Sequence, residues 1–264
     1  MREVLASIGV ESAERAGRVV ALPADASGIG AVLRLARERG LVVAPAWMAF
    51  PGLPAACLCL SVERLSDITE VLPADLMVVT GAGATVGTIE ERLATDGMFW
   101  PAADGIGADE TVGDILARAP GSWTRRGNLA RRYTLGLEAV LADGEVVRTC
   151  SRTVKCVTWY DLKALFVGSR GTLGVICSAV LRLEPLPRRE SVRAAYERDF
   201  AGLEGAATAA PAVPAAGAAG GGGATGDGGA TGGSGALDIL RRLKRELDPD
   251  GVLPPAEAAF PPED

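Results

Sequence analysis

In the first part of the sequence, strand-like and helix-like patterns of apolar residues follow one another. The segment RVVALP, starting at Arg18, is typical of a short β-strand. A helical pattern follows, with apolar residues at Ile29, Val32, Leu33 and Ala36. Gly40 stands where this helix would end, and LVVAP then indicates another strand. The pattern predicts a strand, a helix and a strand, which is the beginning of a small α/β subdomain.

A similar unit begins after Asp75. The segment LMVVTGAG predicts a strand, and TVGTIEERLATDG predicts the helix that follows it. Thr88 and Glu91 have the spacing of a capping box, and Gly97 is placed to end the helix.

From Leu135 onward the pattern favours antiparallel strands. Asp143-Gly144 lies between two β-rich arms and predicts a hairpin with a two-residue turn. The segment DLKALF predicts a short helix, and a long strand follows a glycine-rich turn. Residues that alternate along this strand are apolar, namely Val175, Cys177, Ala179, Leu181 and Leu183.

Between Gly202 and Gly235 almost every residue is Gly, Ala, Thr, Ser or Pro. Such a segment buries too little apolar surface to offset its ordering entropy, so we expect a flexible linker. The tail after it has leucines at helical spacing, at Leu237, Leu240, Leu243 and Leu247. This pattern predicts an amphipathic helix that docks onto the main body and ends near Asp248-Pro249.

Composition excludes several classes of function. The net charge of −6 argues against a nucleic-acid surface. With no histidine among 264 residues, the chain cannot carry a Ser-His-Asp triad, an HExxH zinc site or a histidyl-linked flavin. No apolar run reaches bilayer length, so we expect no membrane span. The five cysteines suggest free thiols, so we expect a cytoplasmic protein, and we expect no bound metal. Chemistry would have to come from a cofactor, or this chain has none of its own.

One set of motifs points to a known family. The chain contains the hairpin Asp143-Gly144, then Lys155, then Tyr160-Asp161-Leu162, and then Gly168-Ser169 followed by GTLGVI from Gly171. This series resembles the second half of the flavin domain in FAD-linked oxidases of the p-cresol methylhydroxylase and vanillyl-alcohol oxidase type. The tail RRLKRELDPDGVLPP is similar to the ending of glycolate oxidase flavin subunits and D-lactate dehydrogenases in this family.

The resemblance implies an α+β fold with two subdomains. We expect a small α/β N-terminal subdomain (residues 1–72) and a second subdomain with a mixed or antiparallel sheet and flanking helices (73–187). A linker (188–235, Ala/Gly-rich from about 202) and a C-terminal docking helix and tail (236–264) complete the division. In the family a substrate-covering cap domain lies where this linker stands, so we expect the cap to be missing.

The resemblance also implies that the chain binds FAD non-covalently between its subdomains. The residues expected to contact the cofactor are Gly81, Ala82, Gly83, Pro101, Glu110, Thr111, Val112, Gly113, Ala117, Gly121, Val175 and Ile176. Glycine turns with free backbone N–H groups suit a pyrophosphate because they bind anions without a side-chain charge. No catalytic residue can be assigned from the pattern.

Two loops depart from the family pattern. The first phosphate loop is glycine-rich in the family, but here it is APAWMAFPGLP, with bulky Trp47, Met48 and Phe50. The second loop matches an alanine-threonine-isoleucine-glycine-glycine pattern, with Glu110 at the alanine and Asp114 at the last glycine. Asp114 adds a negative charge near an anionic ligand.

Two hypotheses remain open at this point. In the first, the chain is a FAD-dependent oxidoreductase for a small 2-hydroxy acid of the glycolate or lactate type, and a partner such as an iron–sulfur subunit completes the site. In the second, it is a non-catalytic subunit whose FAD binding is weak or lost. The loop from Ala44 to Pro54 separates them, because aromatic side chains that fill the phosphate site would favour the second hypothesis.

Overall fold

The structure, a computed structural model, describes most of the chain. The described residues are 1–47, 57–119, 125–149, 161–200 and 232–256. The strands are β1 (Glu11–Arg15), β2 (Arg18–Leu22), β3 (Val42–Pro45), β4 (Cys57–Leu60), β5 (Ile68–Leu72), β6 (Met77–Gly81), β7 (Met98–Phe99), β8 (Thr134–Val140), β9 (Val146–Thr149), β10 (Val175–Arg182) and β11 (Glu184–Pro185). The helices are α1 (Arg2–Ser7), α2 (Ala26–Glu38), α3 (Val86–Ala94), α4 (Val112–Arg118), α5 (Arg125–Arg132), α6 (Lys163–Phe166), α7 (Arg189–Phe200) and α8 (Gly232–Leu247). Short 3-10 helices cover Pro73–Asp75, Pro101–Ala103 and Leu186–Arg188.

The first subdomain contains a sheet in the order β1-β2-β4-β3. β1 and β2 form an antiparallel hairpin, whereas β2, β4 and β3 run parallel to one another. The predicted strands β2 and β3 are therefore not neighbours, because β4 lies between them. The prediction missed β1, whose polar sequence ESAER has no strand-like alternation and forms a strand by pairing at the sheet edge.

Helix α2 forms where the sequence pattern placed it. The Asp25 carboxylate accepts a hydrogen bond from the backbone N–H of Gly28 at 2.7 Å and caps the helix. Gly40 has a φ of +61°, a left-handed conformation that ends the helix at low cost. The apolar stripe predicted from the sequence is buried in the first of two cores, together with residues from the first sheet.

The second subdomain contains a sheet in the order β5-β6-β10-β8-β9, with every neighbouring pair antiparallel. β5 pairs with β6, so this sheet begins before the predicted boundary at residue 73. The predicted α+β fold of two subdomains is confirmed.

The hairpin between β8 and β9 forms at Asp143-Gly144, but with a different turn from the one predicted. Leu141 N–H donates to the Glu145 carbonyl at 2.8 Å, which leaves three residues in the loop. Gly144 has a φ of +86°, whereas Asp143 is not among the residues with positive φ. A two-residue type I′ turn needs positive φ at both central residues, so the loop is the three-residue kind with one left-handed glycine.

Helices α3 and α4 begin side by side and share one capping pattern. Thr85 accepts a hydrogen bond from Thr88 N–H at 3.3 Å, and Thr111 accepts one from Asp114 N–H at 3.2 Å. α3 therefore begins three residues before the predicted capping box, because Thr85 rather than Thr88 is the N-cap. Gly97 ends the helical segment, with a φ of +66°.

The segment after residue 188 is helical before the Ala/Gly-rich stretch begins. α7 buries Tyr196 in the core of the second subdomain, and Arg193 donates to both oxygens of Asp104, at 3.0 and 2.6 Å. The predicted linker, which starts at residue 188, therefore includes this packed helix. Most of the Ala/Gly-rich segment (202–231) lies outside the described residues, and its flexibility stays a prediction.

The C-terminal segment contacts both cores. Leu240, Leu243 and Leu247 of α8 pack against the core of the second subdomain, as the leucine spacing predicted. Val252 and Leu253, which follow α8, lie in the core of the first. This segment therefore ties the two subdomains together. None of the described helices combines the length and apolar character that a bilayer crossing requires.

Candidate functional site

A cavity of about 820 Å³ lies between the first sheet and the second subdomain. The first wall consists of residues from β2, β3 and β4, the loop after β4 and the C-terminal tail. Its apolar lining residues are Val20, Val43, Leu60, Val62 and Leu253. The second wall is formed by α4, by the turn after α6 and by the start of β10. Its lining residues are Thr111, Gly113, Asp114, Ala117, Gly171, Gly174, Val175 and Ile176.

The C-terminal tail contributes directly to the first wall. Val43 N–H in β3 donates to the Val252 carbonyl at 2.6 Å, which extends the edge of the sheet by one backbone hydrogen bond. Leu253 is 2% exposed and lines the cavity beside Val43. Asp248 accepts hydrogen bonds from the N–H groups of Val252 and Leu253 at 2.8 and 2.9 Å, and it also pairs with Lys244.

Glycines keep the second wall open. Gly171 has a φ of +77°, and a side chain there would begin 3.0 Å from Pro45 Cγ on the first wall. A Cβ on Gly174 would lie 3.0 Å from the Val140 carbonyl oxygen. A larger residue at Gly171 would therefore have to shift the first wall, whereas one at Gly174 would have to displace Phe166 or the β8 backbone behind the second wall.

Five of the residues expected to contact the cofactor line this cavity. They are Thr111, Gly113, Ala117, Val175 and Ile176. Gly81 and Gly83 instead pack against the backbone of the loop after β4, where a Cβ would collide with the carbonyl oxygens of Leu65 and Val62. The structure thus gives these two glycines a packing role.

Ala82 and Val112 support the second wall from behind. Gly113 N–H donates to the Ala82 carbonyl at 2.7 Å, and Val112 N–H donates to the Ala84 carbonyl at 3.0 Å. Since Asp114 N–H is bonded to Thr111, the first three amides of α4 are all used within the protein. The expectation of free backbone N–H groups at this loop is therefore wrong: the loop is a packed wall rather than an anion-binding nest.

The remaining expected residues lie away from the main cavity or outside the described residues. Pro101 begins a buried 3-10 helix. Glu110 lines a separate, smaller cavity on another side of α4. Gly121 lies outside the described residues, as do Lys155 and Tyr160.

Trp47 occupies the end of the first wall where the family pattern has glycine. It is half-buried and lines the cavity, and the Arg118 guanidinium lies 5.3 Å from its ring centroid. Burial raises the pKa of the Asp114 carboxyl above its usual value, although the neighbouring side chains of Thr111 and Trp47 act in the opposite direction. The two departures from the family pattern thus contact each other across the cavity. Met48 and Phe50 lie outside the described residues.

Two arginines of the β1–β2 hairpin also line the cavity, and sequence reasoning did not identify them. Both oxygens of Glu63 accept hydrogen bonds from Arg15 at 2.7 Å, and this contact lowers the pKa of the Glu63 carboxyl. Arg18 donates to the Cys57 sulfur at 3.4 Å. Their positions at the turn of an unpredicted hairpin left no recognisable motif in the sequence.

Comparison with known proteins identifies the family. Residues 17–150 match the FAD binding domain family. The chain belongs to this family. The matched segment contains β2, β3, β4 and α4, which supply most of the residues around the cavity.

Several curated relatives of this FAD-binding chain are oxidoreductases. A D-lactate dehydrogenase of Archaeoglobus fulgidus is 32% identical over 67% of the chain and 41% of its own length. An uncharacterized FAD-linked oxidoreductase of Mycobacterium tuberculosis is 30% identical over 73% of the chain and 42% of its own length. A glycolate oxidase subunit of Bacillus subtilis is 28% identical over 67% of the chain and 39% of its own length. The chain thus spans about two fifths of the length of these relatives.

A solved structure supports the fold. An alkyldihydroxyacetonephosphate synthase superposes with a TM-score of 0.51 at 17% identity, over 63% of this chain and 32% of that one. At this identity the likeness concerns the fold alone.

The cavity suits the family's cofactor, and the predicted cofactor, FAD, is confirmed at the level of the family. Its volume of about 820 Å³ falls within the range of cofactor sites. The apolar faces of Val175, Ile176 and Leu253 suit the rings of FAD, and Arg15 and Arg18 bring positive charge to the cavity lining. Trp47 and Asp114 narrow one end.

Proposed function

We propose that this chain is the FAD-binding part of an oxidoreductase that acts on a small 2-hydroxy acid. The observation that carries the proposal is the cavity between the two subdomains, because five residues expected from the family pattern line it. The substrate class rests on the relatives, which include D-lactate dehydrogenases, a glycolate oxidase subunit and D-2-hydroxyglutarate dehydrogenases. The individual hydroxy acid is not assigned.

The residues around the cavity would hold and orient the cofactor. Val175 and Ile176 would provide apolar contact on one side, and Leu253 would close the other side and exclude water. Arg18 would compensate the phosphate charge. When bound, FAD supplies the hydride acceptor for the oxidation of the hydroxyl-bearing carbon.

A partner subunit is part of the proposal. The sequence contains no histidine, so the usual neutral-pH proton acceptor cannot come from this chain. A similar chain of Bacillus subtilis is named as a subunit of glycolate oxidase. We therefore propose an iron–sulfur or other oxidase subunit as the partner. A cytoplasmic location, suggested by the free thiols of Cys57, Cys59 and Cys177, stays a prediction.

The test begins with the purified chain and its absorbance between about 300 and 550 nm, followed by titration with FAD. We expect a stoichiometric, acid-releasable flavin. Adding glycolate or D-lactate with an artificial electron acceptor, with and without co-expressed partners, then tests the reaction. A chain that binds FAD but oxidises no 2-hydroxy acid with any partner would refute the substrate class.

The contact between Trp47 and Asp114 favours a second candidate, a non-catalytic subunit. At the end of the cavity, the Trp47 indole takes up volume that an anionic dinucleotide would need, and the Asp114 carboxyl adds a charge of the same sign as its phosphates. In this case the purified chain would be colourless and would take up no added FAD.

A further inference from the structure

The turn between β1 and β2 presents two arginines to the main cavity. Arg15 and Arg18 are directly opposite each other in the register of this hairpin, so their side chains project from the same face. Both residues line the main cavity, together with Ala16. The two residues between the arginines, Ala16 and Gly17, have φ values of +49° and +73°, as a type I′ turn requires. We call residues 15–18 the cationic turn.

The cationic turn is unfavourable in the absence of an anion. Opposite residues on one face of an antiparallel pair have Cβ atoms about 5 Å apart, and like charges at these positions destabilise the pair. The turn also holds Ala16 in a left-handed conformation, which a residue with a Cβ atom rarely adopts. Backbone strain of this kind is concentrated at functional sites, where a ligand benefits from the geometry.

One carboxylate compensates part of this charge. Glu63 accepts hydrogen bonds from both terminal nitrogens of Arg15 at 2.7 Å and from the Ser61 hydroxyl at 3.2 Å. A guanidinium has five N–H donors, so Arg15 keeps three for another acceptor. Arg18 is exposed, and its contact with the Cys57 sulfur at 3.4 Å is to a weak acceptor. Among the described residues no carboxylate forms an ion pair with Arg18.

The cationic turn is separated from the obstructed end of the cavity. β2 and β3 both run parallel to β4, so the start of β2 and the end of β3 lie at opposite edges of the sheet. The start of β2 carries Arg18, whereas Trp47 follows the end of β3. Two further acidic lining residues, Asp109 and Asp114, lie in α4 or just before it, on the second wall. The lining therefore favours an anionic group at the cationic turn.

We propose that the cationic turn is the phosphate-binding element of the main cavity and replaces the glycine-rich loop of the family pattern. The usual donors are missing at two described positions, because Trp47 stands in the first loop and the first three amides of α4 are bonded within the protein. Two guanidinium groups supply the charge and the planar donors that suit a pyrophosphate. Glu63 is the internal counter-ion that limits the charge of Arg15.

This inference rests on the proposed function for the identity of the ligand, which is the pyrophosphate of a dinucleotide. A free nucleoside diphosphate carries the same group. The two sources are separated by testing FAD and ADP side by side, because only FAD carries the flavin ring.

The experiment uses the whole purified chain, freed of bound flavin by dialysis. FAD, ADP and riboflavin are titrated separately by isothermal calorimetry, and thermal melting is recorded with and without each ligand. Riboflavin carries the flavin ring without a phosphate and is the neutral control. We expect FAD and ADP to bind, and we expect high salt to weaken both of them but not riboflavin.

Three variants test the assignment of residues. Arg18→Gln should bind FAD and ADP about tenfold more weakly and riboflavin equally well. Glu63→Gln should bind FAD and ADP about threefold more tightly, because Arg15 loses its internal counter-ion. Arg39→Gln is the matched control, since Arg39 is an exposed arginine of the same subdomain that does not line the cavity. It should leave all three affinities unchanged.

The melting temperature without ligand separates a binding role from a structural one. Arg18→Gln should melt about 1 °C above the wild type, because the repulsion between the two arginines is relieved. An arginine that only supported the fold would lower the melting temperature when replaced, and this result would contradict the proposal.

The binding data distinguish this proposal from the proposed function. If Arg18→Gln binds FAD and ADP as tightly as the wild type, the proposal is overturned and the oxidoreductase function stands. An equal loss of riboflavin binding would also overturn it, because the arginine would then act on the ring. If ADP binding depends on Arg18 but FAD does not bind, the phosphate site stands and the oxidoreductase function fails. A wild type that binds neither FAD nor ADP overturns both.

Discussion

The two walls of the main cavity differ in how much of the family's sequence pattern they retain. The second wall retains Gly113, Gly171 and Gly174, and its strand β10 follows the family pattern. The first wall keeps its parallel strands, but its phosphate loop carries Trp47 in place of glycine. Asp114 is the one large departure on the second wall, and it contacts that same tryptophan.

The difference shows that the architecture of a cofactor site can persist while its ligand loops change. The strands of the first wall are held by apolar packing and by the C-terminal tail, neither of which depends on the loop sequence. The loop itself needs glycine only if backbone must approach a phosphate. We therefore expect the affinity for FAD to depend on this loop more than on the strands of the wall.

The largest effect should come from removing the anchor of the first wall. Asp248 is 1% exposed and pairs with Lys244, so Asp248→Ala leaves a buried cation and two backbone N–H groups without their acceptor. We expect the free energy of unfolding to fall by about 3–5 kcal/mol, measured by urea denaturation.

A neighbouring aspartate provides the control for this prediction. Asp250 forms an exposed ion pair with Arg37 at 2.6 Å, so Asp250→Ala should cost less than about 1 kcal/mol. Equal losses in the two variants would show that the tail does not anchor the wall.

The support behind the second wall should be the next most sensitive feature. In Gly81→Ala the new methyl group would collide with the Leu65 carbonyl, so the loop after β4 must shift. We expect a loss of about 2–3 kcal/mol in thermal or chemical unfolding. Gly107→Ala is the control, because the atom nearest to its new methyl group would be Glu110 Cγ at 3.9 Å. A similar loss of stability in this variant would contradict the packing argument.

Trp47→Gly tests the departure on the first wall. Removing the indole opens the end of the cavity, so we expect FAD to bind about tenfold more tightly in a fluorescence titration. Trp47→Phe keeps most of the bulk and should gain much less. If FAD binds equally to all three proteins, the aromatic side chain does not restrict the cofactor.

The smallest effect should come from the departure on the second wall, and it depends on pH. Burial raises the pKa of Asp114, so the stability that its protonated form contributes is lost as the pH rises through that pKa. Asp114→Asn should therefore melt about 2 °C above the wild type at pH 7, with the difference vanishing below about pH 4. A variant that melts below the wild type at pH 7 would show that the hydrogen bonds of Asp114 outweigh its burial.

Local signals predicted the individual elements well. Helix α2 followed from its apolar period and from Gly40, and the buried alternation of β10 followed from its sequence. The start of α3 was placed at Thr88 instead of Thr85 because only Thr88 has a glutamate three residues later, whereas Thr85 caps the helix by accepting from the Thr88 N–H. β1 was missed because a polar edge strand is stabilised by its neighbour rather than by its own pattern.

The candidate site was predictable only in part. Thr111, Gly113, Ala117, Val175 and Ile176 could be identified because they belong to contiguous motifs. The cavity-lining positions of Arg15, Arg18 and Leu253 depend on contacts between distant segments. No local pattern carries such information, since side chains far apart in sequence meet only after the subdomains pack.

The sequence by itself determined the two-subdomain α+β fold, the family and its FAD cofactor, because apolar periodicity and glycine-rich motifs are local properties of the chain. Only the tertiary structure decided which glycines reach the cavity, since Gly81 and Gly83 pack against the loop after β4, whereas Gly171 faces Pro45 across the cavity. It also decided that the amides of α4 are bonded within the protein, because a hydrogen bond to Ala82 or Ala84 depends on how two loops meet.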